Sequence, residues 1–237
     1  MLSILLLFAC SSPSATRSSM EDAVPPAPAA PSIDEAKVGE MLAKMVAEDT
    51  SAKMAALAAF PTIDLDDVRG KKYRSPENAP KYINSRTSVH AEVVTDLNDT
   101  VSAVFVQFSY VGDDWIFFDK ATIAAGDFRA TPTFERPVRD NGGGKVWEHT
   151  RLLIDPDPNP ALWAALPGRL IPAVTAEKMT GPKVIVRFEG SEYYKDYELK
   201  AWEKDSIKAA LVLARKAPGR DDAIAALDAP EAVTSGP

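Results

Sequence analysis

VSAVFVQFSYVGDDWIFFDKATIAA, residues 101–125, decides the fold class. Val104, Val106, Phe108 and Tyr110 recur at every second position, the period of a strand with one face in a core. Gly112-Asp113-Asp114 break the run as turn formers do. Trp115, Ile116, Phe117 and Ile123 resume it, which predicts the second arm of an antiparallel hairpin. Phe105, Phe108, Tyr110, Trp115, Phe117 and Phe118 all fall here. The hairpin is therefore expected to be the most buried in the protein, with Trp115 fully enclosed.

Working outward, residues 87–95 (TSVHAEVVT) alternate as a strand, with Val89, Ala91 and Val93 on one face and Ser88, His90 and Glu92 on the other. Residues 61–86, with Pro76 and Pro80, read as an irregular connection with a short strand near 71–74. After Gly126-Asp127 a short strand is expected over 128–134. RDNGGG (139–144) forms a turn into a strand over 145–154. DPDPNP (155–160) cannot continue a central strand, because its prolines lack the N–H donor. Asn159-Pro160 suit the cap and first turn of a short helix over 161–166. Residues 169–180 fit helix and coil equally. Strands over 183–188 and 192–199 form a second hairpin around Gly190-Ser191.

Two longer helices flank the strands. Residues 34–59 carry Val38, Met41, Leu42, Met45, Val46, Met54 and Leu57 at helical spacing, with a break possible at Asp49-Thr50. Residues 201–216 place Ile207, Ala210, Leu211 and Ala214 on one stripe and end in Arg215 and Lys216, where the helix dipole favours positive charge. Seven or eight short strands with helices at the ends, not between them, predict an α+β domain. Its expected form is an antiparallel β-sandwich or open barrel over residues 34–216, followed by a flexible tail over 217–237.

Composition bounds what such a domain does. The chain has 237 residues, 46% hydrophobic and 26% charged, which is ordinary for one globular domain. The 34 acidic and 27 basic residues leave a net charge of −7. That speaks against a nucleic-acid partner, whose phosphates call for clustered Lys and Arg.

Residues 2–9, LSILLLFA, are an apolar run too short to span a bilayer and suited to a signal peptide over 1–9. The sole cysteine follows. Leu7-Phe8-Ala9-Cys10 resembles the lipobox of bacterial lipoproteins; Phe8 is bulkier than the pattern's usual residue, and no Lys or Arg precedes the run. The resemblance implies a lipidated Cys10 as the mature first residue and a membrane partner through that anchor. Ser11 after the cysteine, rather than Asp, resembles the sorting signal of outer-membrane lipoproteins in Gram-negative bacteria. Residues 11–33, rich in Ser, Pro and Ala, suit an extended linker between the anchor and the domain. Within the domain, Tyr110-Val111-Gly112-Asp113-Asp114-Trp115-Ile116-Phe117 and Val186-Arg187-Phe188-Glu189-Gly190 with Tyr193-Tyr194 resemble a β-domain of uncharacterised bacterial envelope proteins. That group offers no catalytic residue to carry over.

No residue pattern reaches a catalytic signature. His90 and His149 sit on strands near Glu92 and Glu148, and only His90 shares a face with its carboxylate; both imidazoles are expected to be solvated. Asp155, Asp157 and Asn159 imitate a calcium loop, but Pro160 and Leu166 occupy the positions of the required glycine and bidentate carboxylate. The acidic run Asp64-Leu65-Asp66-Asp67 is read as solvated surface. Gly142-Gly143-Gly144-Lys145 lacks the following Ser or Thr and the helix of a phosphate loop. No cofactor and no metal site is expected. Tyr193, Tyr194, Tyr197 and Trp202 form the candidate binding surface, suited to stacking or carbohydrate contact. The leading expectation is a lipid-anchored outer-membrane protein with a non-catalytic binding or structural domain. The alternatives are an envelope hydrolase with an unrecognised carboxylate site, and an assembly factor or inhibitor of another envelope protein.

The anchor has a direct test. Cys10→Ser should abolish incorporation of labelled fatty acid and leave uncleaved precursor. Identical membrane fractionation of parent and variant, with label in neither, would refute the address.

Overall fold

The computed structural model describes residues 33–157 and 160–229. The signal, Cys10 and nearly all of the linker lie outside the described residues, as does Asn159. Helix α1 (Glu35–Leu57) runs without a break at Asp49-Thr50. It is followed by β1 (Thr62–Asp66), β2 (Lys71–Ser75), β3 (Ser88–Asp96), β4 (Val101–Gly112), β5 (Lys120–Ala125), β6 (Phe128–Ala130), β7 (Val138–Gly142) and β8 (Lys145–Asp155). Then come α2 (Pro160–Ala165), β9 (Leu170–Pro172), α3 (Ala173–Lys178), β10 (Ile185–Glu189), β11 (Tyr194–Glu198), α4 (Ala201–Ala214) and α5 (Arg220–Asp228).

The strands form two sheets, and the fold is α+β with neither sheet closed into a barrel. The larger sheet has the order β1-β2-β3-β4-β8-β7, with β9 added to β8; the smaller has the order β11-β10-β5-β6. All pairings are antiparallel except β8 with β9. Gly143 and Gly144, both at positive φ, turn β7 into β8, a conformation that glycine adopts at no steric cost.

The central hairpin expected from residues 101–125 does not form. β4 pairs with β3 on one side and β8 on the other, while β5 belongs to the smaller sheet beside β10 and β6. The chain changes sheets through residues 113–119, and the apolar alternation there serves a crossover. Its organiser is Glu148 of β8, fully buried at 0% exposure. One carboxylate oxygen accepts the N–H groups of Ile116 and Phe117, both at 2.8 Å, and the other accepts that of Phe118 at 2.9 Å. Arg139 completes the set, its Nε donating at 3.0 Å. Three successive N–H groups converging on one anion make a backbone nest, with a side chain of the same protein as its occupant.

The nest turns the chain sharply. Phe117 lies at φ +57, a left-handed conformation that costs a bulky residue. Gly190 packs so closely beneath that a Cβ there would stand 1.9 Å from the Ile116 carbonyl oxygen. The crossover drops Phe118 between the sheets, where its ring meets Phe134 at 5.4 Å and Phe188 at 5.2 Å. Phe108 and Tyr110 of β4 reach the same aromatic group. Trp115 is half-buried, stacked on exposed Phe117 at 5.5 Å, and is not the enclosed ring its position suggests.

Helix α4 closes an open stretch of sheet edge. β2 covers β3 only from Val93 onward, leaving the N–H groups of Val89 and Ala91 without strand partners. Glu203 accepts the first at 2.9 Å and Ser206 the second at 3.0 Å. Glu203 also takes the Tyr197 hydroxyl at 2.8 Å and the Lys200 N–H at 2.7 Å, and burial raises its carboxyl above the usual range. Ile207, Ala210 and Leu213 of the same helix enter the core.

The terminal helices depart from expectation in two ways. Along α1 only Val38 is fully buried, and Met54 is 71% exposed, so the methionine stripe is a shallow contact. Residues 220–228, expected to fray, form α5; Asp222 accepts the Gly219 N–H at 2.8 Å, and Ala223 is buried.

The nest should dominate stability. Glu148→Ala leaves three backbone donors and Arg139 Nε without their acceptor and should cost about 3 to 5 kcal/mol in denaturant titration. Trp115→Ala, removing a half-buried ring, should cost about 1 to 2 kcal/mol. The reverse order would show that the crossover is held by packing rather than by the carboxylate.

Candidate functional site

The two faces of the larger sheet differ in chemistry. The inner face carries Val89, Ala91, Val106, Phe108 and Leu152 into the core. The outer face carries polar side chains in cross-strand rows. Ser88 on β3 stands opposite Ser109 on β4, which stands opposite His149 on β8. In the next row His90 faces Gln107, which faces Arg151. Glu92 follows, opposite Phe105. Strand alternation explains the placement, since residues two apart share a face.

Ser88, His90, Gln107 and Ser109 are buried although they lie on the face away from the core. Residues 76–86 fold over them. Two adjoining cavities result, one of about 750 Å³ and one of about 630 Å³. Ile83, Glu92 and Gln107 line both, so together they form a groove across β2, β3, β4 and β8. Tyr73, Pro76 and Lys81 line its first half, and Arg136, His149, Arg151 and Leu153 its second.

Hydrogen bonding within the groove is incomplete. Gln107 donates from Nε2 to Ser109 Oγ at 3.1 Å, and the same nitrogen lies 3.4 Å from His149 Nδ1. With Nδ1 accepting, His149 keeps its proton on Nε2. Ser88 Oγ and His90 Nδ1 are buried and have no hydrogen-bond partner. Buried polar atoms are almost always satisfied, which sets these two apart from the rest of the floor.

Electrostatics keep the floor largely uncharged. Burial, reinforced by Arg86, lowers the His90 imidazole to about 4. Burial and Arg151 also lower His149. Burial raises the Glu92 carboxyl, partly countered by Arg151. The two histidines are thus neutral near pH 7, each offering one donor and one acceptor. His90 Nε2 and Glu92 Oε1 are 3.8 Å apart. The expected solvated histidines are not found: His90 is 4% exposed beneath the Trp202 indole at 5.5 Å, and His149 is half-buried.

The four aromatics expected as a binding surface engage different partners. Tyr197 bonds Glu203 under α4, and Trp202 packs against both His90 and the Arg86 guanidinium. Tyr193 and Tyr194 are exposed beside the β10–β11 turn, with Arg187 over the Tyr194 ring at 4.3 Å. Sequence reasoning passed over Ser88, Gln107, Ser109 and Arg151. The signal for two of them was present: Gln107 and Ser109 interrupt the most apolar strand of the chain at alternate positions. Among the described residues no cluster of His, Cys, Asp and Glu is placed to hold a metal ion, and no helix is long and apolar enough to cross a membrane. No protein-family model, curated protein or solved structure matches the chain.

The burial of His90 makes stability depend on pH. Its folded pKa of about 4 lies below the unfolded value of about 6.5, so the unfolded chain takes the proton first on acidification. The His90 contribution to stability should fall as pH drops from about 6.5 to about 4, by about 3 kcal/mol in all, and level off below. His90→Gln should lose that component in melting curves recorded across this range. Parallel pH dependence in parent and variant would show a solvated imidazole.

Proposed function

We propose that this protein is a non-catalytic binding protein, tethered by a lipid on Cys10 to the bacterial outer membrane, whose ligand lies in the groove on the outer face of the larger sheet. The observation that carries the reading is a continuous groove floored by buried polar side chains, two of which, Ser88 and His90, hold hydrogen-bonding atoms with no partner in the protein. A solvated surface patch would leave such atoms to bulk water, and a structural core would pair them. The floor offers two hydroxyls, an amide and two neutral imidazoles, which suits a polar ligand rich in hydrogen-bonding groups.

Catalysis finds less support. A nucleophilic serine needs a base within hydrogen-bond reach, and Ser88 Oγ makes no hydrogen bond. The anchor is supported by the lipobox-like Leu7-Phe8-Ala9-Cys10 and the Ser-, Pro- and Ala-rich linker after it.

Crystals soaked with a panel of polar fragments test the reading. Fragments should collect along Ser88, His90, Gln107 and His149 and remain chemically unchanged. Fragments gathered only in the apolar cavity beside Trp163, Pro132 and Pro167, or turned over in solution, would refute it.

A further inference from the structure

Arg151 distinguishes the second half of the groove. Its side chain leaves β8 opposite Gln107 and runs across the sheet. The guanidinium lies 4.8 Å from the centre of the Phe105 ring on β4 and 5.9 Å from that of Tyr73 on β2. Two aromatic faces hold the planar cation in place without neutralising it. Among the described residues the Arg151 guanidinium has no ion pair and no side-chain hydrogen bond, its backbone being paired in the β4–β8 ladder. Other arginines of this protein are committed: Arg74 to Asp99, Arg169 to Glu135, Arg187 to Asp196. The pairing of Arg169 takes up Glu135, one of the two carboxylates in this half of the groove. The other, Glu92, forms no ion pair with Arg151; burial raises its carboxyl and the Arg151 charge partly counters the rise. Arg136 adds a second cation to the wall. In a chain of net charge −7, this half of the groove favours an anion.

The rest of the floor says what carries that anion. β3, β4 and β8 bond one another along the groove, so their backbone is consumed in the sheet and recognition falls to side chains. An extended peptide gains its affinity by adding a strand to an edge, which a sheet face cannot offer. With Gln107 Nε2 bonded to Ser109 Oγ and His149 Nδ1, the Ser109 hydroxyl and His149 Nε2–H remain as donors and Gln107 Oε1 as an acceptor, a mixed set that complements hydroxyls. We infer that the groove takes an acidic sugar, a hydroxyl-bearing ring with a carboxylate, whose carboxylate pairs with the Arg151 guanidinium while Gln107, Ser109 and His149 read the ring hydroxyls. This inference rests on the groove being the binding site.

Nuclear magnetic resonance titration of the full chain with sodium glucuronate, methyl glucoside and sodium acetate tests it. Glucuronate should shift the Arg151 Nε, Gln107 side-chain and His149 ring signals to saturation. Arg151→Met, which keeps the stem over Phe105, should weaken glucuronate about tenfold or more and leave methyl glucoside unchanged. Glucuronate binding untouched by Arg151→Met, with shifts still at Gln107 and His149, would overturn the anion assignment and leave the groove standing. Acetate binding Arg151 as tightly as glucuronate would overturn the sugar. Saturable shifts that map away from the groove, or none with any probe, would overturn both the inference and the reading beneath it.

Discussion

The carboxylate of Glu148 and the three N–H groups of Ile116, Phe117 and Phe118 form the contact on which the two-sheet arrangement depends. A chain leaving the longest strand of one sheet would ordinarily return as a hairpin beside it. Here the backbone donors of the returning segment are taken by a side chain instead of a strand. The segment is held across the gap, Phe118 is delivered to the core, and β5 begins in the second sheet. A buried carboxylate is costly alone, but one accepting three backbone donors and an arginine has its lone pairs occupied. The close passage of Gly190 under Ile116 ties the β10–β11 hairpin to the same point.

With the second sheet on one face, the larger sheet has its other face free for different chemistry. β4 shows the division within one strand: Val104, Val106, Phe108 and Tyr110 point inward, while Phe105, Gln107 and Ser109 line the groove side. The cover over Ser88 and His90 comes from residues 76–86, an irregular stretch, and from Trp202 on α4. The floor is therefore rigid sheet and the roof is loop and side chain, a division common to sites that must admit a ligand.

Much of this was legible in the sequence, and the failures have physical causes. Period-two alternation located β3, β4 and β8, and helical spacing located α1 and α4. The crossover was not legible, because Trp115 to Phe118 carry a strand-like composition and the acceptor that diverts them, Glu148, lies 30 residues downstream of Phe118. Ser88, His90 and Glu92 were correctly placed on one face, but their burial depends on a loop and a helix whose positions no local pattern states. α5 was missed because Ala and Asp with flanking prolines resemble a linker, and its helix is selected by the Asp222 cap and packing on α1.

The contact between Glu203 and the edge of β3 joins residues 114 positions apart. At ribosomal rates of about 5 to 20 residues per second, β3 is complete on the order of ten seconds before α4 exists. During that interval the N–H groups of Val89 and Ala91 are a strand edge without an owner, open to pairing with any extended chain nearby. Protection of this sheet during biogenesis therefore cannot come from the chain's own finished fold. Until α4 arrives, the edge needs water, a chaperone or isolation from its neighbours.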